Sequence, residues 1–275
     1  MKKMIVFVLG LFICSSMSIA ALAEDTNSNF LSVELGTRDL TQNQINDLSK
    51  QDISLISDRS KKDVNYLLNK CEEDMNNAAM DLYRKESLYA LLSTSITLGV
   101  DKTIYSCDTG NTGNNSSLIS GTAETYNSDG SKSKCWTSII GSGSSWAYSA
   151  GTITVAGTGS QHAYIRFYGK YSGLTNPGLM GGSAGARVRM SVFDLTTGTE
   201  VGGSTVLNVN DSVDTISTYT GNTNTSVGVV LQGGHKYLLR YGISTSVSNY
   251  SPQMCISDFY DGSYGINMSY IKVDF

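Results

Sequence analysis

The chain has few residues suited to acid–base chemistry. It contains two histidines, His162 and His235, each at the start of an alternating apolar run. His235 follows two glycines and could serve as a general base; there it more often caps a turn or hydrogen-bonds locally. The second half offers seven acids: Asp194, Glu200, Asp211, Asp214, Asp258, Asp261 and Asp274. Hydrolysis of a glycan would need two of them facing each other across a cleft within about 10 Å. Most sit in or beside turn signals, where solvated acids are expected. Asp258 and Asp261, in Ser-Asp-Phe-Tyr-Asp-Gly, lack the acid density of a strong Ca²⁺ loop. No Gly-x-Ser-x-Gly elbow, His-Glu-x-x-His helix or Walker loop occurs. No catalytic, metal or cofactor residue is assigned, and the expectation is a protein that is not an enzyme.

Five residues stand out as ligand-binding candidates: Trp136, Trp146, Tyr250, Tyr260 and Tyr264. They belong to the clusters Trp136, Trp146 and Tyr148, and Tyr250, Phe259, Tyr260 and Tyr264. The chain holds 16 tyrosines, most in its second half. An aromatic face with a polar tip suits glycan stacking and interface contacts. The competing reading is that the tryptophans fill the core and the tyrosines decorate strands.

Cysteine chemistry depends on the compartment. Residues 1–23 read as a signal peptide: Lys2 and Lys3, the apolar run Met4–Ile13, and Ala21-Leu22-Ala23 as a small-x-small cleavage site. A secreted protein is expected, extracellular or periplasmic. The Leu-Phe-Ile before Cys14 lacks the small residue of a lipid-anchor site. Cys71, Cys107, Cys135 and Cys255 then read as two disulfides. The preferred pairing is Cys107–Cys135, closing a Gly/Asn/Ser-rich loop, with Cys71–Cys255 as the remainder. Cys71 could instead be a buried free thiol.

Beyond the leader, 18 basic residues face 24 acidic ones, and all of the −6 imbalance lies before Trp136. Without a basic patch, nucleic acid is an unsuitable partner. No apolar run after the leader is long enough to span a bilayer.

The elements that must position these residues fall into two parts. The expected division is 1–23 signal peptide, 24–105 helical segment, 106–135 linker and 136–275 β-sandwich. A first helix is capped by Thr41 with Gln44, stapled by Leu40 and Ile45, and ends near Lys50 or runs raggedly on to Ile56. A second, from about Arg59 to Leu98, carries a heptad seam through Val64, Leu68, Cys71, Met75, Ala78 and Leu82, continuing to Tyr89, Leu92 and Ile96. The seam implies either packing within the chain or self-association through residues 60–98. Residues 88–98 also carry β-branched side chains suited to a strand.

From Trp136 the period becomes two. Ala163–Tyr168 and Arg187–Phe193 alternate, with Val188, Met190 and Val192 placed inward and Arg187, Arg189 and Ser191 toward water. Similar runs appear at Trp146–Val155, Thr205–Val209, Ser226–Leu231, His235–Ser244 and Ile266–Phe275. Thr197-Gly198, Gly221-Asn222, Gly233-Gly234 and Asp261-Gly262 mark turns. The fold class is α+β, mainly β: a helical segment followed by an antiparallel, jelly-roll-like sandwich. The stretches Val192-Phe193-Asp194-Leu195-Thr196-Thr197-Gly198-Thr199 and Leu231-Gln232-Gly233-Gly234-His235-Lys236-Tyr237 carry a resemblance to secreted bacterial jelly-roll modules of the carbohydrate-binding type. It covers roughly the last 120 residues.

Three functions follow as expectations. The first is a secreted binding protein whose sandwich contacts a glycan or a cell-surface protein. The second is a membrane-active effector that touches lipid without spanning it, using Ser142–Val155 and Ser204–Thr220 as amphipathic hairpins. The third is a glycan-active enzyme.

Overall fold

No glycine or proline interrupts residues 42–86, and the computed structural model carries one helix across them, α1 (Gln42–Glu86). The structure describes residues 42–86, 93–117, 120–212 and 215–275. The leader, the Thr41 cap, Tyr89, Leu92, Leu118 and Asp214 lie outside the described residues. The chain divides into two units, residues 1–51 and 52–275. The second unit holds the greater part of α1 and all the described strands.

The two expected helices are one. Without a breaker, Ser57, Asp58 and Ser60, residue types that could cap a second helix, lie within the one helix, and Ser60 is buried. The seam holds for Val64, Leu68, Cys71, Met75 and Leu82, but the helix stops at Glu86. Ile96 lies instead in a strand, as its β-branched neighbours allow.

The strands in chain order are β1 (Thr94–Thr97), β2 (Lys102–Ile104), β3 (Thr109–Ser116), β4 (Ser120–Asn127), β5 (Gly130–Thr137), β6 (Gly141–Ala156) and β7 (Ser160–Asn176). They continue with β8 (Ser183–Asp194), β9 (Thr199–Asp211), β10 (Ser217–Asn222), β11 (Thr225–Gln232), β12 (Lys236–Asn249), β13 (Cys255–Phe259) and β14 (Gly265–Asp274). They form two sheets. The first runs β1-β6-β12-β8-β9, with β3 also on β6; the second runs β10-β7-β13-β5-β14-β2, with β11 on β7 and β4 on β5. Pairing is antiparallel except for β1 on β6. Among the described residues, the result is a mostly-β sandwich with one helix.

The expected linker at 106–135 is not a linker. It holds β3, β4 and most of β5, so β-structure begins with β1 rather than at Trp136. The Gly-rich stretch 171–185 is likewise mostly strand, with only residues 177–182 connecting β7 to β8. Gly221-Asn222 closes β10, and its turn follows. The other turn signals hold; Gly198 and Gly234 adopt the positive φ (75° and 83°) that their hairpins require.

Between the sheets, Val188, Met190, Val192, Tyr241 and Ile243 meet Ile165, Phe167, Phe259, Ile271 and Val273. Toward one end this core changes to hydroxyls. Ser133 Oγ lies 2.6 Å from Ser145 Oγ and 2.8 Å from Thr245 Oγ1, so buried polar groups satisfy one another. On its other face the first sheet is covered by α1. Cys71, Met75 and Ala79 pack on Trp146, Tyr148, Ala150, Phe193 and Leu238. Arg187 and Arg189 therefore do not face water: both pair with Glu72 of the helix. The seam is spent within the chain, which removes the basis for a coiled coil through the described part of 60–98.

The expected disulfides are not formed; all four cysteines are buried thiols. Cys71 lies on the helix side of the first sheet, with Sγ 3.9 Å from Ser145 O. Cys135 and Cys255 lie between the sheets with Ala184 and Val247, so sheet backbone separates Cys71 from Cys255. Cys107 lies elsewhere, its Sγ 3.3 Å from Met268 Sδ.

Candidate functional site

Among the described residues, no helix covers the outer face of the second sheet. Along β7 every second side chain points outward: His162, Tyr164, Arg166, Tyr168, Lys170 and Ser172. Ala163, Ile165 and Phe167 are buried between them. At about 3.3 Å per residue the row extends roughly 33 Å.

Beside it, β14 would present the wrong face without an irregularity. Ile266 and Met268 point inward, so Tyr270 should follow them. The register slips between Met268 and Tyr270, and from there Ile271 and Val273 are the inward residues. This bulge turns Tyr270 outward, directly opposite Tyr168. Their rings stack with centroids 4.4 Å apart at 25°. Tyr105, just after β2, is 76% exposed and leans on Tyr270 at 6.3 Å. Further along, His162 meets Tyr164 edge-on at 5.0 Å. Tyr164 is paired with Gly228, which has no side chain to cover the ring, and it stays 50% exposed. Ion pairs flank the rings: Arg166 Nε lies 2.5 Å from Asp274, which also binds Lys272.

The same face holds two grooves. One, of about 440 Å³, is lined by Lys170, Ser172, Thr220, Asn222, Ser263 and Asn267, a hydrogen-bonding surface with few charges. The other, of about 250 Å³, is lined by Ala123, Lys134, Trp136, Met254, Tyr260 and Asp261. The Trp136 indole lies flat over its partner Gly121, where a Cβ would approach it to 2.2 Å. Lys134 Nζ lies 5.7 Å from the same ring.

Of the five sequence candidates, the structure brings Trp136 and Tyr260 together in this second groove. Trp146 is buried under α1, stacked on Tyr148 at 6.2 Å, and belongs to the core. Tyr250 fastens the helix: its hydroxyl donates to Asp63, and the Arg59 guanidinium carbon sits 4.5 Å from its ring centroid. Burial and the Asp63 carboxylate hold its phenol above the usual range. Tyr264 is partly buried, and its backbone N–H donates to Asp261 O at 3.0 Å. Sequence reasoning missed Tyr105, Tyr164, Tyr168 and Tyr270. Tyr164 and Tyr168 were legible as outward residues of an alternating strand. Tyr270 was not, because the bulge breaks that parity.

The acids are committed elsewhere. His235 Nδ1 lies 2.8 Å from Asp194 Oδ2, while Asp194 Oδ1 accepts from Thr196 N at 2.8 Å, so the pair closes a hairpin. Glu200 holds Arg189 and Arg240. Asp211 accepts from Thr175 and, at 2.5 Å, from Tyr219. Asp258 and Asp261 share the Lys134 ammonium, which occupies the place a cation would take. Burial works against the Asp258 carboxylate. The backbone donors of Tyr260 and Asp261, together with Lys134, outweigh it and hold its pKa below the usual range. Among the described residues, no group of His, Cys, Asp and Glu side chains is arranged to hold a metal.

No family model and no curated protein matches the chain in sequence. Among solved structures, it is similar to TmCBM61 in complex with β-1,4-galactotriose. The identity is 10%, the match covers 60% of this chain and 88% of that one, and the TM-score is 0.22. It is also similar to the family 11 carbohydrate-binding module from Clostridium thermocellum in complex with a β-1,3-1,4-mixed-linked tetrasaccharide. There the identity is 10%, the coverage 63% and 95%, and the TM-score 0.23. The enzymatically active domain of bacteriophage CBA120 tailspike protein 4 matches at 11% identity over 58% of this chain and 19% of that one, with a TM-score of 0.22.

Proposed function

We propose that the protein is exported and non-enzymatic, and that it binds a glycan along the outer face of its second, jelly-roll-like sheet. The observation that carries this reading is the stack of exposed Tyr105 on the partly buried Tyr270 and Tyr168, beside a groove of Asn, Ser, Thr and Lys side chains. Sugar rings offer apolar faces and a rim of hydroxyls, and this surface offers aromatic faces beside hydrogen-bonding groups. Trp136 and Tyr260 extend the same face.

The test is titration against a panel of soluble neutral oligosaccharides and polysaccharides. Tyr168→Ala or Tyr270→Ala should weaken binding about tenfold each, by loss of a stacking face. Tyr126→Ala, at a tyrosine outside this row, should leave it unchanged. A folded wild type that binds nothing on the panel would remove the reading.

A further inference from the structure

Three connections meet at one end of the sandwich. The registers fix this: Gly141 pairs with Asn249, Thr137 with Cys255, Ser183 with Ser248 and Asn176 with Ile256. The β5–β6, β7–β8 and β12–β13 turns therefore emerge together. Turns are ordinarily polar; these are not. They expose Ile139, Ile140, Leu179 (70%), Met180 and Met254 (54%), and Ile216 (65%), just before β10, lies at the same end because Ser217 pairs with Thr175. Ile53 and Leu55 of α1 are also exposed, and Ile53 O and Ile56 lie against Gly181 of the β7–β8 turn. At the opposite end, the β6–β7, β8–β9 and β11–β12 turns expose glycine and threonine, and the β1–β2 turn exposes Val100.

The apolar tips are held out by design of the loops. Both prolines of the chain, Pro177 and Pro252, lie in them. Leu179 N donates to Gln253 Oε1 at 2.6 Å, Ser251 Oγ to Met180 O at 3.2 Å and Asn249 Nδ2 to Gln253 O at 2.6 Å. Two neighbouring turns thus brace each other while Leu179, Met180 and Met254 remain outside.

We propose that this end of the sandwich docks into the interfacial region of an uncharged lipid bilayer. Two features favour lipid over a protein partner. The apolar groups are separate projections from different hairpins; a fluid bilayer conforms to these, whereas a protein would need matching pockets. The β5–β6, β7–β8 and β12–β13 turns carry no charged residue, so they match a zwitterionic surface and offer an acidic or basic partner nothing to pair with. The site is separate from the tyrosine row, borders the Trp136 groove through Met254, and does not depend on glycan binding.

The test is co-sedimentation of the full chain with phosphatidylcholine vesicles. Wild type should partition, and 1 M salt should not release it. Ile139→Ser with Leu179→Ser should lower partition about tenfold or more, since each removes an apolar side chain from the lipid. Both positions are exposed, so the urea midpoint should not move. As a second probe, the indole introduced by Leu179→Trp should shift its emission to the blue on vesicles and be quenched by lipids labelled in the acyl chain. Absence of sedimentation, release by salt, or equal partition of the variant with an unshifted indole would each overturn the proposal. So would light scattering that shows a dimer which these substitutions dissociate, because a second copy would then cover the tips.

Discussion

Arg240 illustrates how a strand residue becomes a structural fastener. Its side chain is 4% exposed. It reaches from β12 across the first sheet to Glu200 Oε2 at 3.0 Å, Ser191 Oγ at 3.0 Å, Asn76 Oδ1 at 2.7 Å and Met75 O at 3.3 Å. Burial pulls its pKa down while Glu200 holds it up. One guanidinium thus ties α1 to the sheet and neutralises an acid that Arg189 shares. Arg240→Ala should destabilise the fold by about 3 kcal/mol, because it leaves buried partners unpaired; Arg240→Met, which keeps the packing, should cost less. Urea unfolding measures both. The two tryptophans separate at the same scale. Trp146→Ala should cost about 3–5 kcal/mol, since it empties the helix–sheet core. Trp136→Ala should leave the urea midpoint nearly unchanged and weaken glycan binding at the second groove. Their sequence surroundings are alike, and only the side of the sandwich that α1 covers distinguishes them.

Between elements, the glycines set how closely parts approach. Gly185 of β8 faces α1, where a Cβ would stand 2.5 Å from Val64 Cγ1 and 2.8 Å from Val209 O. Gly185→Ala should therefore push the helix from the sheet and cost about 1–3 kcal/mol, read as a lowered urea midpoint. Elsewhere glycines seat aromatic rings across a ladder: Gly113 under Trp146, Gly121 under Trp136 and Gly173 against Phe259. This explains why so much of the sandwich was legible and why β3 to β5 were not. Strands such as β7 and β8 alternate Val, Ile and Phe with polar residues, so the period of two is visible in them alone. In β3 every residue is Gly, Asn, Ser or Thr, and β4 adds only Ala123, Glu124 and Tyr126, because their partners β6 and β5 supply the bulk. A strand whose side chains are mostly absent has no period to read, and its turn-forming composition points to a linker. The joined helix is the opposite case. Local caps were present, but nothing between them broke the helix, and continuous packing on the first sheet decided the outcome from Ser60 to Leu82.

For the molecule as a whole, the four thiols make stability depend on alkaline pH. Burial pushes Cys71, Cys107 and Cys255 up to about 12, and Cys135 further still. Unfolded, each titrates near about 8.5. A raised folded pKa contributes stability that is whole below the unfolded value and is lost as pH rises toward the folded one. By pH 10 the loss should be on the order of 1–2 kcal/mol for each thiol, with no change between pH 6 and 8 from this source. Tyr237 and Tyr241, also raised mainly by burial, add the same sign of dependence at higher pH. The expected outcome is a urea midpoint flat from pH 6 to 8 and falling steeply by pH 10, with Cys255→Ala flattening part of the fall. Ellman's reagent should find none of these four thiols in the native protein and all of them after unfolding. Two disulfides in the intact mass, with a midpoint insensitive to pH between 8 and 10, would show that the chain pairs its cysteines by a rearrangement this fold does not contain. The even cysteine count suggested pairing because residues 1–23 read as a leader and an oxidising compartment would favour it. The sandwich instead shields each thiol: one under the helix, two among hydroxyls between the sheets, one beside Met268. Such thiols stay protonated and out of reach, so oxidant in the surrounding solution meets none of them while the sandwich is folded.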